Sequence, residues 1–188
     1  MTRYQWLKNM REGAAVKRFH TMRMEAQTVA DHSHGVILAL LAVGCGGQDL
    51  LVAAALHDVA ELVTGDVPAP AKWKSPSLLD ALAAMEADFH AEHGIDYNLT
   101  EEEKIALNWA DAYDLAIKCL EEIQRGNRHV DAMFERIYPR CMERVQAFDA
   151  HLGPGESRFH EWAQAMRDMN ARLAEDYTAF SGREDWWR

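Results

Sequence analysis

No stretch of the 188-residue chain stays apolar for the roughly 18 consecutive residues that a membrane-spanning helix needs. Nor does its beginning, Met1-Thr2-Arg3-Tyr4-Gln5-Trp6, have the charged-then-apolar layout of a signal peptide. These absences lead to the expectation of a soluble, cytoplasmic protein with no membrane partner. Cysteine is scarce: Cys45, Cys119 and Cys141 are odd in number, widely spaced and form no CxxC pair. Neither a disulfide framework nor a thiolate zinc site follows, and the three read as small buried hydrophobes. Positive charge is also short. With 20 Lys and Arg against 30 Asp and Glu, the net charge of −10 leaves no cationic face with which to neutralise many phosphates, which excludes a binder of duplex nucleic acid. Strand-like alternation and internal repeats are missing too.

Apolar residues make up 48% of the chain, and its length suits one domain with one sizeable core. The expected fold is all-α, a single helical bundle. Residues 1–152 are expected to form the core, with 153–188 as a C-terminal helix and tail packed on the same domain. The periodicity predicts a first helix over about residues 4–12, stopped by Gly13. Val29, His32, Val36, Leu40 and Val43 recur at helical spacing and put His32 on an inward stripe. A buried helix over about residues 49–63 would carry Leu50, Ala54, His57 and Glu61 on one face. Thr64-Gly65-Asp66-Val67-Pro68-Ala69-Pro70 reads as a turn-rich loop. Ser75-Pro76 and Gly94 bound a further helix. Thr100 and Glu103 form a capping-box pattern that opens a long helix through about residue 125, with Asp111 near its middle. Residues 130–151 read as helical with a kink or break at Pro139, Gly153-Pro154-Gly155 as a linker, and 159–180 as a last amphipathic helix.

One segment reverses the acidic balance. Between Ala14 and Gln27 stand Lys17, Arg18, His20 and Arg23 against the single acid Glu25. On an acidic protein such a loop suits a small anion, although a solvated basic loop reads the same way. Ionisable groups also recur on inward helix faces: His32, the pair His57-Asp58, and Asp111. Burying such groups costs several kcal/mol each unless they are paired or bind a metal. Two imidazoles and two carboxylates suit a borderline divalent cation such as manganese, cobalt, zinc, nickel or iron, whereas calcium prefers oxygen alone. His34, two residues after His32, points away from that set, and His90 and His93 read as surface residues at a helix end.

The ordered series Thr28-Val29-Ala30-Asp31-His32-Ser33, then His57-Asp58-Val59-Ala60-Glu61, then Thr64-Gly65-Asp66-Val67-Pro68, then Ala110-Asp111-Ala112 resembles the H…HD…D pattern of HD-domain phosphohydrolases. Among these it is most similar to the bacterial 5′-deoxynucleotidases and the small phage-encoded dATP triphosphohydrolases. The resemblance runs from about residue 18 to 127, including Lys118-Cys119-Leu120-Glu121-Glu122 and Gly126-Asn127. It implies His32, His57, Asp58 and Asp111 as ligands of a divalent metal, magnesium included among the candidates. Glu61 would assist the attacking water, and Asp66 would be a second acid near the sugar, or else an Asx-type turn residue. Arg18 and Phe19 would hold the phosphate and pack on the sugar, Phe19 standing where the deoxynucleotidases carry tryptophan. His20 and its neighbours would shape the base pocket. Lys72 would meet further phosphates, or be a surface lysine like Lys74. The activity implied is hydrolysis of the 5′-phosphate linkage of a 2′-deoxynucleotide. A dATP-type triphosphohydrolase is the first expectation, and a monophosphate 5′-deoxynucleotidase or a non-catalytic nucleotide-binding protein are the alternatives. A homo-oligomer, dimer or larger, is implied as well.

Overall fold

The structure, a computed structural model, describes residues 1–152 and 157–183; the linker read at Gly153-Pro154-Gly155 and the tail from Glu184 lie outside the described residues. The fold is a helical bundle, as the periodicity predicts. Its helices are α1 (Arg3–Ala14), α2 (Val29–Ala42), α3 (Gln48–Leu56), the short α4 (Glu61–Thr64) and α5 (Ala69–Lys74), α6 (Pro76–His93), α7 (Glu101–Gln124), α8 (Asp131–His151) and α9 (Ser157–Ser181). Among the described residues no helix is long and apolar enough to cross a membrane.

Two capping boxes set the frame. Thr28 Oγ1 accepts from the Asp31 backbone N–H at 3.1 Å while Asp31 Oδ2 accepts from the Thr28 N–H at 3.0 Å, which fixes the start of α2 and places His32 in its first turn. Thr100 and Glu103 do the same for α7, whose first turn also carries Glu101 and Glu102 against the positive end of the helix dipole. Helix α7 is the central post, packed on α2, α3, α8 and α9. Its Trp109 is fully buried, stacked on Tyr113, and donates from Nε1 to Asn170 of α9. Phe134 of α8 stacks on Tyr177 of α9 with ring centres 4.1 Å apart. All three cysteines are buried and free, as their spacing suggests. A second, smaller cluster of Met10, Val59, Ala60 and Phe89 ties α1 and α6 to the turn after His57.

The structure departs from the sequence reading where packing overrides local propensity. Gly13 does not stop α1 but lies buried near its end, where a Cβ would stand 2.6 Å from the Val59 carbonyl oxygen. The glycine is there for close approach, not for termination. The basic segment is closed by a two-residue antiparallel pairing of β1 (Lys17–Arg18) with β2 (Gln27–Thr28), too short to alternate visibly. The single helix expected over residues 49–63 is two: His57 Nδ1 lies 2.9 Å from the Ala54 carbonyl. The chain then tightens into bonds spanning three residues, Val59 N–H to Leu56, Glu61 to Asp58 and Leu62 to Val59. Part of the expected loop, beyond Pro68, forms α5 with a proline in its first turn. Pro139 does not break α8, whose buried stripe of Phe134, Ile137, Cys141, Val145 and Phe148 holds both sides of it against the core.

Candidate metal centre

Three elements converge where the first turn of α2, the turn after α3 and the middle of α7 meet. His32 is wholly buried. Its Nε2 lies 3.0 Å from Asp111 Oδ1, 3.2 Å from His57 Nε2 and 3.6 Å from Asp58 Oδ2. The donor atoms of His32, His57 and Asp111 all lie within 4.8 Å of one another, a spacing that can hold a metal ion. Asp58 Oδ2 stands 3.5 Å from His57 Nε2 and is also bonded by the Arg18 guanidinium. Because the helix breaks at His57, its Nδ1 is occupied by the Ala54 carbonyl and its Nε2 is left facing the cluster. An unbroken helix would have spent that carbonyl on a backbone N–H instead.

The electrostatics match a site built for a cation. Burial opposes charge on His32, yet hydrogen bonds to Asp111 and Asp114 push its pKa up to about 9. Burial alone would raise the Asp111 carboxyl; the hydrogen bond and charge of His32, with His57 and Arg18, instead hold it well below the usual carboxylate range. Asp58 is likewise lowered, against burial, by His57, Arg18 and His32.

Around the cluster the predicted binding residues divide. Arg18 is buried on β1 with its Nε unbonded, and Asp58, Asp111, Glu61 and Asp66 hold it protonated against burial. Phe19 follows with the left-handed backbone angle φ 62°, and its N–H donates to Asp66 Oδ2 at 2.9 Å. Asp66 therefore ties the basic loop down, with the exposed His20 3.7 Å from the same oxygen. A cavity of about 70 Å³ opens beside the cluster, lined by His57, Asp58, Glu61, Lys72 and Glu86 among others. Glu61 faces it from the start of α4 with a buried, unbonded Oε2. Burial, reinforced by Asp58 and Asp66, pushes its carboxyl up to about 7 despite Arg18 and Lys72. Lys74 is not part of this lining.

Other residues fall outside the cluster. His34 is exposed, as its helical position predicts. His93 is not a surface residue: it is buried, stacked on Phe89 at 4.0 Å, with Asn9 2.9 Å from its Nε2. The cause is α1 lying over the end of α6, a contact that local sequence does not announce. Lys118 is also buried, facing Glu122 at 3.7 Å and Glu25 at 3.6 Å, and Asn127 donates to the Arg23 carbonyl at 2.7 Å. The Lys118-to-Asn127 segment thus anchors the far end of the basic loop. Sequence reasoning missed Asp114, which bonds His32 from behind, and Glu86, on the cavity wall. Asp114 had one available signal, its place one turn after Asp111.

The match to a family of 5′-deoxynucleotidases, the YfbR-like family, covers residues 4–102. A 5′-deoxynucleotidase of Citrobacter koseri is 28% identical over 60% of this chain and 69% of that protein. The 5′-deoxynucleotidase YfbR of Salmonella arizonae is 27% identical over 77% of this chain and 86% of its own. In fold the chain is similar to the cyanophage S-2L HD phosphohydrolase DatZ, solved with dA and one catalytic Zn²⁺ ion, at TM-score 0.66 and 19% identity over 93% of this chain and 98% of that one. An HD-domain phosphohydrolase of Listeria innocua gives TM-score 0.64 at 20% identity, over 98% and 100% of the two chains. Its helices are arranged as in these two phosphohydrolases, and with more than half of its length matched the chain belongs to the YfbR-like 5′-deoxynucleotidase family.

Proposed function

We propose that the protein is a metal-dependent 5′-deoxynucleotidase that hydrolyses a 2′-deoxynucleoside 5′-monophosphate to nucleoside and inorganic phosphate. The observation that carries this reading is the convergence of His32, His57, Asp58 and Asp111 beside a cavity of about 70 Å³. That space holds a few water molecules or a single phosphoryl group. The names of its sequence relatives point the same way, and the dA held by the cyanophage enzyme is the nucleoside part of such a substrate.

The donor set, two imidazole nitrogens and two carboxylates, fits a divalent cation of the manganese, cobalt, zinc, nickel, iron or magnesium group. Bound there, such an ion would acidify a water and offset charge on the phosphoryl oxygens. Arg18, with its Nε unbonded, pairs with phosphate oxygens through its guanidinium fork. Phe19, held by Asp66, offers an apolar wall to the sugar. The carboxylate of Glu61 takes a proton from the attacking water as the new P–O bond forms and the bond to the 5′-oxygen breaks, and that oxygen leaves protonated. A pKa near neutrality suits a group that must both accept and return a proton.

A second reading, the dATP-type triphosphohydrolase, breaks the same bond and releases tripolyphosphate. Lys72 on the cavity wall favours it, because an additional cation would serve further phosphates. The deciding experiment incubates the purified protein with dNMPs, dNTPs and the matching ribonucleotides, with Mn²⁺, Co²⁺, Mg²⁺ or EDTA. Nucleoside and phosphate from monophosphates support the proposal, tripolyphosphate selects the second reading, and no metal-dependent product with bound metal leaves a non-catalytic nucleotide-binding protein. We also propose a homo-oligomer, a dimer or larger, which sedimentation will resolve.

A further inference from the structure

We propose that Asp114 is the positioning residue of the metal centre: it holds the Nδ1 proton of His32 and thereby directs the Nε2 lone pair of that ring into the cluster. The inference rests on the reading of His32 as a metal ligand. Asp114 lies one turn after Asp111 on α7 and is 9% exposed. Its Oδ2 stands 2.7 Å from His32 Nδ1 and also accepts from Gln27 Nε2 at 3.1 Å. The two helices can meet there because residue 35 is glycine: a Cβ at that position would sit 1.7 Å from Asp114 Oδ1. Gln27 of β2, Gly35 of α2 and Asp114 of α7 therefore form a purpose-shaped seat on the side of His32 away from the cluster.

The two imidazoles are oriented by unlike partners. His57 Nδ1 faces a neutral backbone carbonyl three residues earlier, whereas His32 Nδ1 faces a carboxylate 82 residues away. A carboxylate partner makes the ring a stronger donor at its other nitrogen. With Nδ1 engaged by Asp114, the ring nitrogen turned into the cluster is Nε2, the atom that faces Asp111 and His57. Asp114 thus makes His32 the stronger anchor of the pair, and Gly35 is needed as much as the carboxylate itself.

The test measures Co²⁺ and Zn²⁺ affinity by chelator competition, and the Co²⁺ absorption spectrum, for the wild type and the H32A, D114N and G35A variants, all first shown to be folded without metal by circular dichroism. The isosteric D114N keeps the result interpretable should G35A fail to fold. Weakening of metal binding by about 10- to 100-fold in D114N, with an altered Co²⁺ spectrum and the same change in G35A, is the expected result. If D114N binds within about threefold of wild type with an unchanged spectrum while H32A has lost the metal, the role of Asp114 is overturned. If H32A itself binds as wild type, the ligand reading fails first and the inference falls with it.

Discussion

Glu61 has a buried oxygen with no hydrogen-bond partner, and burial raises its pKa, whereas cationic neighbours lower those of Asp58 and Asp111. Such a group suits the proton transfer proposed for it. The substitution Glu61→Gln is expected to lower turnover by about 10²- to 10⁴-fold while metal affinity and thermal stability stay near wild type. A loss of metal together with turnover would instead make Glu61 part of the ligand set. His32 gives a second expectation, concerning pH. Its pKa is raised from 6.5 to about 9 in the metal-free protein, so its contribution to stability is complete below about 6.5 and is lost as the pH rises through about 9. Asp111, lowered, contributes in the opposite sense, above the ordinary carboxylate range, and loses its contribution only in acid. The Tm of EDTA-treated protein should therefore fall between pH 6.5 and 9, and saturating Zn²⁺ should abolish that fall, because metal binding displaces the proton and is favoured by alkali. Parallel Tm profiles with and without metal across this window would contradict the arrangement.

At the scale of elements, the decisive feature is the break between α3 and α4. It turns a continuous helix face into a pocket wall: His57 keeps one ring nitrogen on Ala54, Asp58 swings towards Arg18, and Glu61 begins a new helix above the cavity. Helix α1 braces this turn through Gly13, where a Cβ would meet the Val59 carbonyl at 2.6 Å. Gly13→Ala is expected to destabilise the fold by about 1–3 kcal/mol, read by urea unfolding, as overpacking does. It should also lower turnover, since the displaced turn carries three of the proposed site residues. Unchanged urea midpoint and activity would show that α1 can yield at no cost. The basic loop is fastened at both ends, by Asp66 on the Phe19 N–H and by Asn127 on the Arg23 carbonyl, so its cations are presented on a fixed frame.

For the whole molecule, α9 completes the core that supports the site. Tyr177 is fully buried against Phe134, its hydroxyl donating to Glu135 at 2.9 Å, and Leu173, Met166 and Trp162 close over the same surface near Trp109. Tyr177→Ala is expected to cost about 3–5 kcal/mol, a large part of the roughly 5–15 kcal/mol that keeps a domain folded. Measured by chemical denaturation, a cost below about 1 kcal/mol would mean that α9 is an appendage and would overturn the proposal that residues 153–188 belong to the same domain as 1–152. A truncation after residue 152 tests the same point more severely, by uncovering the aromatic core at once.

Helical class, the capping box of Thr100 and Glu103 and the order of His32, His57-Asp58, Glu61 and Asp111 were legible in the sequence because each is written locally. A threonine three residues before an acid marks a helix start, and an imidazole on an apolar stripe is anomalous wherever it stands. What only the tertiary structure decided depends on partners distant along the chain. Gly13 reads as a stop until the Val59 carbonyl is seen against it, and His93 reads as exposed until α1 covers it. Asp114 is an ordinary helix residue until His32, 82 positions earlier, is packed onto it. Local propensity is set by a residue's own backbone and nearest neighbours, whereas burial and ring orientation are set by whatever the fold brings across. The kinds of group at this centre were therefore determined by sequence, and the directions in which they point were determined by packing.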